Sequence, residues 1–168
     1  YVGDRWSAFS EADLVGVRTT GKHLSESERL MTARVTRGWY SSATRYLLLV
    51  DTSRNEVGVF YGNGDAGNWN LIKLIRCTSG ASNTPTVKGS FTVGSKGMVF
   101  GDGYSCWYWT QFYKDYLFHS VLYYPGSQSH IMDGRIGINA SHGCVRLELQ
   151  NAKWIYDNIP SGSRVIIY

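Results

Sequence analysis

Ser141-His142-Gly143-Cys144-Val145-Arg146, near the C-terminus of a 168-residue chain, is the stretch on which the interpretation of the whole sequence turns. A thiol attacks as its thiolate, and an ordinary cysteine, with a pKa of about 8.5, is only a few per cent ionised at neutral pH. A reactive cysteine therefore needs help from its surroundings. Gly143 lets the backbone adopt conformations closed to other residues and bring N–H groups near a reacting carbonyl oxygen, while an imidazole, from His142 or elsewhere, can take the thiol proton. These six residues mark Cys144 as a candidate nucleophile. The alternative is a buried, inert thiol beside a surface histidine, the ordinary state of an arbitrary cysteine.

The rest of the composition sets bounds. Hydrophobic residues make up 43% and aromatics 14%, enough for the core of one substantial globular domain. Only 18% of residues are charged while Gly reaches 19 and Tyr 12, a balance that suits a β-rich, turn-rich fold better than a helical bundle. The net charge of +4 comes without any dense Lys/Arg run, so no nucleic-acid partner is expected. No apolar run approaches the length of a membrane span, and Tyr1-Val2-Gly3-Asp4-Arg5 does not resemble a signal peptide. A chain that starts at Tyr1 without Met suggests a fragment of a longer protein. The four histidines, at 23, 119, 130 and 142, show no zinc-ligand spacing with the cysteines, so no structural metal is expected. Cys77 and Cys106 either pair, as in an exported domain, or remain separate reduced thiols, and both possibilities stand.

Along the chain, Ser10-Glu11-Ala12-Asp13 and Ser25-Glu26-Ser27-Glu28 give residues 1 to 43 the character of a lead-in segment or the tail of a preceding domain. Ser25 and Glu28 have capping-box spacing ahead of a helix. Tyr46-Leu47-Leu48-Leu49-Val50 and Glu56-Val57-Gly58-Val59-Phe60-Tyr61 predict a hairpin across the turn residues 51 to 55. A further strand is predicted from Asn70 to Cys77, followed by loop residues 78 to 83 and by Thr84-Pro85-Thr86-Val87-Lys88-Gly89-Ser90-Phe91, where Pro85 excludes a central strand. The aromatic run 104 to 113 alternates as a strand, and Tyr116-Leu117-Phe118 would deliver His119 to an edge. Trp107 and Trp109 suit a stacking platform, although such a run is more often core. A helix over Glu148 to Asn158 and a closing strand, Val165-Ile166-Ile167-Tyr168, complete the pattern.

Three of these stretches, in this order, resemble the catalytic domain of L,D-transpeptidases: Thr84-Pro85-Thr86-Val87-Lys88-Gly89-Ser90-Phe91, His119-Ser120 and Ser141-His142-Gly143-Cys144-Val145-Arg146. The resemblance covers residues 44 to 168. It implies a mainly β, β-sandwich-like, largely antiparallel fold with one or two short helices. It also implies an acyltransferase that forms 3→3 cross-links between peptidoglycan stem peptides through a cysteine thioester, outside the cytoplasmic membrane, with carbapenem-type β-lactams as covalent inhibitors. It implies chemistry that requires no metal or organic cofactor, and a monomer is expected. The same site with water as acceptor would be an L,D-carboxypeptidase, and a non-catalytic wall-binding module is the alternative from another class.

Carried over by position, the resemblance makes Cys144 the nucleophile, His119 its base and the Ser120 carbonyl the group that orients the imidazole. His142 is a supporting residue, and the Gly143 and Cys144 N–H groups form the oxyanion hole. A thiolate beside an imidazolium fits general nucleophile-base chemistry. Twenty-five positions separate His119 from Cys144, more than the family's usual spacing, and the excess in Leu122 to Asn139 reads as a flexible loop or lid. His130 lies in that loop and competes for the base role. Arg146 either holds a substrate carboxylate or braces the loop. Tyr104 and Trp109 are assigned to the donor site.

Overall fold

Strands β2 (Tyr46–Asp51) and β3 (Glu56–Gly62) form the expected antiparallel hairpin, Tyr46 opposite Tyr61 and Asp51 opposite Glu56. Its turn is built by Asp51, whose Oδ1 accepts hydrogen bonds from the Ser53 and Arg54 N–H groups, and by Asn55 in the left-handed region at φ 54°. In a computed structural model of the chain, the described residues are 23–168 and the backbone of Val17–Arg18. The polar positions Ser10 to Asp13 lie outside them.

The hairpin sits inside a six-stranded sheet. Its order is β1 (Val17–Arg18), β4 (Trp69–Arg76), β3, β2, β14 (Arg164–Ile167) and β6 (Gly89–Thr92). Pro85 precedes β6, an end strand that pairs only with β14. A second sheet of four strands runs β13 (Val145–Leu147), β9 (Tyr116–Ser120), β8 (Cys106–Tyr113) and β7 (Lys96–Phe100). Two small ladders accompany them: β5 (Ser79–Gly80) with β12 (Asn139–Ser141), and β10 (Leu122–Tyr123) with β11 (Ile131–Asp133).

Strand alternation divides the apolar residues between two cores. Leu48, Val50, Val57, Val59 and Val165 of the first sheet meet Phe112, Phe118, Val145 and Leu147 of the second, with Ala152 and Ile155 of helix α2 (Leu149–Asn158) closing the same core. On the other face of the six-stranded sheet, Leu47, Leu49, Phe60 and Ile166 pack against Met31 and Val35 of helix α1 (Glu26–Gly38). The unbroken apolar run of β2 therefore marks a strand buried on both faces. Helix α1 starts with the capping box expected of Ser25 and Glu28. The closing strand is β14, and it lies inside its sheet, parallel to β2.

Several expectations need correction. His119 is not at a sheet edge, because β9 lies between β13 and β8. The fold is largely antiparallel as expected, with parallel pairs between β13 and β9 in the second sheet and between β14 and β2 in the first. Strand β7 was not foreseen: Lys96-Gly97-Met98-Val99-Phe100 carries two exposed apolar side chains, Met98 and Val99, and no alternation. Residues 122 to 139 are no free loop. They contain the β10–β11 pair and are tied to the body through Trp107 Nε1 to Ser127 O (2.7 Å), Thr78 Oγ1 to Arg135 O (2.9 Å) and Gly137 N to Cys77 O (2.9 Å).

Helix α1 docks over a glycine. A Cβ on Gly58 of β3 would overlap Met31 Sδ, so the bare backbone there makes room for the buried methionine. Gly58→Ala is expected to force Met31 from its seat at a cost of about 1 to 3 kcal/mol, measurable as a lower denaturant midpoint with an unchanged slope. An unchanged midpoint would show that the helix is not packed this way.

Candidate active site

Position 144 takes its place from a parallel pairing three residues long, Val145 beside Phe118, Arg146 beside His119 and Leu147 beside Ser120. Val145, Leu147 and Phe118 enter the core. Period-2 alternation then turns Arg146 and His119 to the opposite face of the sheet, and Cys144 is the loop residue immediately before β13. The sequence folds this way because apolar and reactive residues alternate in both segments.

The loop before β13 is held by hydroxyl groups. Ser141 Oγ donates to the Cys144 carbonyl (2.6 Å) and accepts from the Gly143 N–H (3.1 Å). Thr86 Oγ1 donates to the Gly143 carbonyl (2.7 Å) while accepting from the Gly80 N–H, and Thr84 Oγ1 donates to the Ser141 carbonyl (2.8 Å). The two threonines of the Thr84-Pro85-Thr86 motif thus act as staples on the loop. Gly143 is required: its φ of +124° suits no L side chain, and a Cβ there would lie 3.0 Å from Tyr116 Cε1. Because the Gly143 N–H is engaged by Ser141, it is not free here as the oxyanion donor expected from sequence.

His119 is buried, 5% exposed, and its Nδ1 lies 2.6 Å from the Ser120 carbonyl oxygen. A carbonyl only accepts, so Nδ1 carries the proton and Nε2 is left as the basic nitrogen. Burial pushes the His119 pKa from 6.5 down to about 4, opposed by the Ser120 hydrogen bond and assisted by the nearby Arg146 charge. Cys144 is half-buried, and its Sγ lies 3.5 Å from the Asp115 carbonyl. Burial raises its thiol pKa, against a hydrogen bond from the Leu117 backbone and the charge of Arg146 that lower it. No hydrogen bond joins Cys144 Sγ to the His119 ring. Burial thus disfavours the charged form of each group, the thiolate of Cys144 and the imidazolium of His119.

The remaining candidates scatter. His130 is exposed in the β10–β11 connection and stacks on Tyr124 with ring centroids 4.3 Å apart. His142 is exposed on the loop. Trp109 is half-buried beside Thr110, whose partner Phe118 precedes His119, and it covers Gly97, where a Cβ would overlap the indole. Tyr104 is half-buried and meets Phe100 edge-on; Phe100 in turn meets the His119 ring at 5.2 Å. The rest of the aromatic run divides by face, with Cys106, Thr110 and Phe112 buried and Trp107 and Tyr113 partly exposed. Cys77 and Cys106 are free and buried, with burial pushing the Cys106 thiol up to about 12. Arg146 is buried and ion-pairs with Asp133 (Nη1 to Oδ2, 3.3 Å), which agrees with the bracing alternative. Asp133 is the sole acid between positions 122 and 139.

The low His119 pKa has a consequence for stability. As pH falls, the unfolded imidazole takes up a proton near 6.5 while the folded one resists until about 4, so the unfolded state binds more protons in that window and stability drops across it. The loss is on the order of 3 kcal/mol and levels off at lower pH. Thermal unfolding between pH 7.5 and 4.5 is expected to show this slope in the native chain and to lose it in His119→Gln. An equal slope in both would place the titrating group elsewhere.

Comparison with known proteins gives a consistent result. A family model of the L,D-transpeptidase catalytic domain (YkuD) matches residues 45–167. The chain is 30% identical to YciB of Bacillus subtilis (strain 168) over 140 residues, 77% of this chain and 70% of that one. Among solved structures it resembles a fused Zn-dependent amidase/peptidase/peptidoglycan-binding domain-containing protein from Clostridium acetobutylicum ATCC 824, with 43% identity and a TM-score of 0.65 over 77% of this chain and 54% of that one. It shares its fold with L,D-transpeptidase 3 from Mycobacterium tuberculosis, solved in complex with a faropenem-derived adduct, at 21% identity and a TM-score of 0.54 over 73% of this chain and 60% of that one. The family match takes in β2 to β14, including the strand that carries His119, the loop that carries Cys144 and the threonines that staple that loop, and the chain belongs to the L,D-transpeptidase catalytic-domain family.

Proposed function

We propose that this chain forms 3→3 cross-links between peptidoglycan stem peptides, with Cys144 as nucleophile and His119 as the group that moves the proton. The observation that carries this reading is the pairing of β13, which Cys144 immediately precedes, with β9, which carries a His119 whose Nε2 is left as the basic nitrogen. As Cys144 Sγ attacks the carbonyl of the third residue of a donor tetrapeptide, its proton passes to His119 Nε2. The Cys144 N–H is the donor assigned to the oxyanion, since the Gly143 N–H is held by Ser141. His119 then protonates the departing D-alanine amine, leaving a thioester. A side-chain amine of an acceptor stem gives its proton to the same nitrogen, attacks the thioester and releases the thiol.

Proton transfer in step with attack suits a site where neither charged form is stable at rest. Residues 44 to 168 carry the catalytic groups, helix α1 of the preceding segment packs on their six-stranded sheet as part of the same unit, and the chain works as a monomer outside the cytoplasmic membrane. His142 supports the loop. Tyr104 and Trp109 line the donor side, with His130 at the rim. Among the described residues no helix is long and apolar enough to cross a membrane. The faropenem-derived adduct of a structural relative supports β-lactam capture, and carbapenems are the class assigned here.

Intact-protein mass spectrometry after incubation with a carbapenem tests the nucleophile. One adduct per chain is expected, absent in Cys144→Ala and formed about 10² to 10⁴ times more slowly in His119→Gln. An adduct that survives Cys144→Ala would overturn the assignment. Incubation with a disaccharide-tetrapeptide should give cross-linked dimer; tripeptide alone would mean that water resolves the thioester and that the chain is an L,D-carboxypeptidase.

A further inference from the structure

Where β3 ends and β4 begins, at the end of the six-stranded sheet away from Cys144, the surface holds a feature that the reaction does not use. An open cleft of about 240 Å³ is lined by Arg45, Tyr61, Asn63, Asn68 and Asn70 beside the buried Trp69. Among the described residues, the carboxamides of Asn68 and Asn70 have no hydrogen-bond partner. Asn63 engages only its Oδ1, which accepts from the Asp65 N–H at 3.0 Å. The Arg45 guanidinium lies over the Tyr61 ring, 5.0 Å from its centroid, and pairs with no carboxylate among the described residues.

These groups suit a neutral ligand rich in hydroxyls. A carboxamide donates and accepts at once, as a sugar hydroxyl does, and a guanidinium held flat presents a fork of donors to neighbouring oxygens. The lone cation has Asp65, exposed and without an ion pair among the described residues, in the adjoining turn, so the cleft exerts little net pull on an anion. Its frame is already set. Asn68 N–H donates to the Asp65 carbonyl (3.3 Å) and Ser42 N–H to the Gly64 carbonyl (2.9 Å), so binding requires little ordering of the loop.

Trp39 flanks the same β3–β4 connection. Its ring rests on Gly67, where a Cβ would lie 2.6 Å from Cη2, and the side chain is 58% exposed. The residue is held at φ 50°, in the left-handed region that bulky side chains seldom occupy. The C–H face of a pyranose stacks on such an open ring while its hydroxyls meet amides nearby.

We propose that this cleft, with Trp39 at its side, binds a saccharide chain: the glycan strand of the polymer whose stem peptides react at Cys144. The saccharide class stands on the cleft itself, and its attachment to the substrate rests on the proposed function. Strand β4 leads from the cleft toward the active site. The extended run from Asn70 to Thr78, which exchanges two hydrogen bonds with Arg146 just beyond Cys144, spans about 25 Å. Three stem residues cover about 10 Å between the attacked carbonyl and the glycan, so the sugar strand has the remaining distance to cross. A polymer therefore occupies both places, a free peptide only one, and the second contact raises the local concentration of stems at Cys144.

Chitotetraose, a peptide-free N-acetylglucosamine tetramer, is the probe, titrated at millimolar concentration into the full chain and followed by proton–nitrogen-15 NMR. Shifts are expected at the Gly62, Asn63 and Asn68 amides and the Trp39 indole, none at Gly143 or Cys144, and all should persist in high salt. Arg45→Gln and Asn68→Ala/Asn70→Ala should each weaken binding about tenfold. Both should turn over a free tetrapeptide donor at the native rate and intact sacculi several-fold more slowly. Damage to the fold would slow both donors alike.

No shift at the cleft, shifts confined to the Cys144 loop, shifts lost in salt, or native affinity in both variants would overturn the saccharide site. Native turnover of sacculi by variants that no longer bind chitotetraose would overturn its link to the substrate. The NMR experiment needs no catalysis and is repeated in Cys144→Ala. Binding there as expected, with no product from either donor in the native chain, would contradict the proposed function and leave the saccharide site standing.

Discussion

The short parallel ladder between Val145–Leu147 and Phe118–Ser120 is the constraint on which the rest of the site depends. One face of it carries Phe118, Val145 and Leu147 into a core shared by both sheets and α2, so sliding the ladder by one residue would take those three side chains out of that core and turn polar ones into it. The chemistry is therefore held in register by hydrophobic burial. The serine and threonine hydroxyls around Gly143 then fix the loop that leads into the ladder.

Desolvation decides the electrostatics of this face. His119 sits beneath the Phe100 ring, close to a buried arginine, and burial outweighs the single hydrogen bond to Ser120 that favours its charged form. The thiol is pushed the same way, toward neutrality, by its own burial. A neutral thiol resists oxidation better than a standing thiolate and becomes reactive only when a substrate carbonyl and a basic nitrogen are both in place. The orientation of His119 matters more here than its basicity, and the Ser120 carbonyl sets that orientation.

Much of this was legible in the sequence, for physical reasons that can be named. Alternation and turn chemistry exposed the β2–β3 hairpin, and the spacing of Ser25 and Glu28 exposed the start of α1. The resemblance of the Cys144 and His119 segments located the site. What stayed hidden depended on contacts distant in sequence. Strand β7 is an edge with exposed Met98 and Val99 and gives no alternation signal. The segment 122–139 looked like a lid because Pro125, Gly126, Gly134 and the serines suggest turns, whereas its tethers come from Trp107, Cys77 and Thr78. The protonation state of His119 could not be read from residue types, because it follows from how completely the fold removes the ring from water.

Nitrogen-15 NMR of the His119 ring, assigned by comparison with His119→Gln, tests this most directly. Nδ1 protonated, Nε2 bare and no titration above pH 5 is the result required by the burial and the 2.6 Å contact with Ser120. A doubly protonated ring at pH 7, released on substituting Cys144, would mean that a thiolate–imidazolium pair exists at rest and would contradict the neutral site described here.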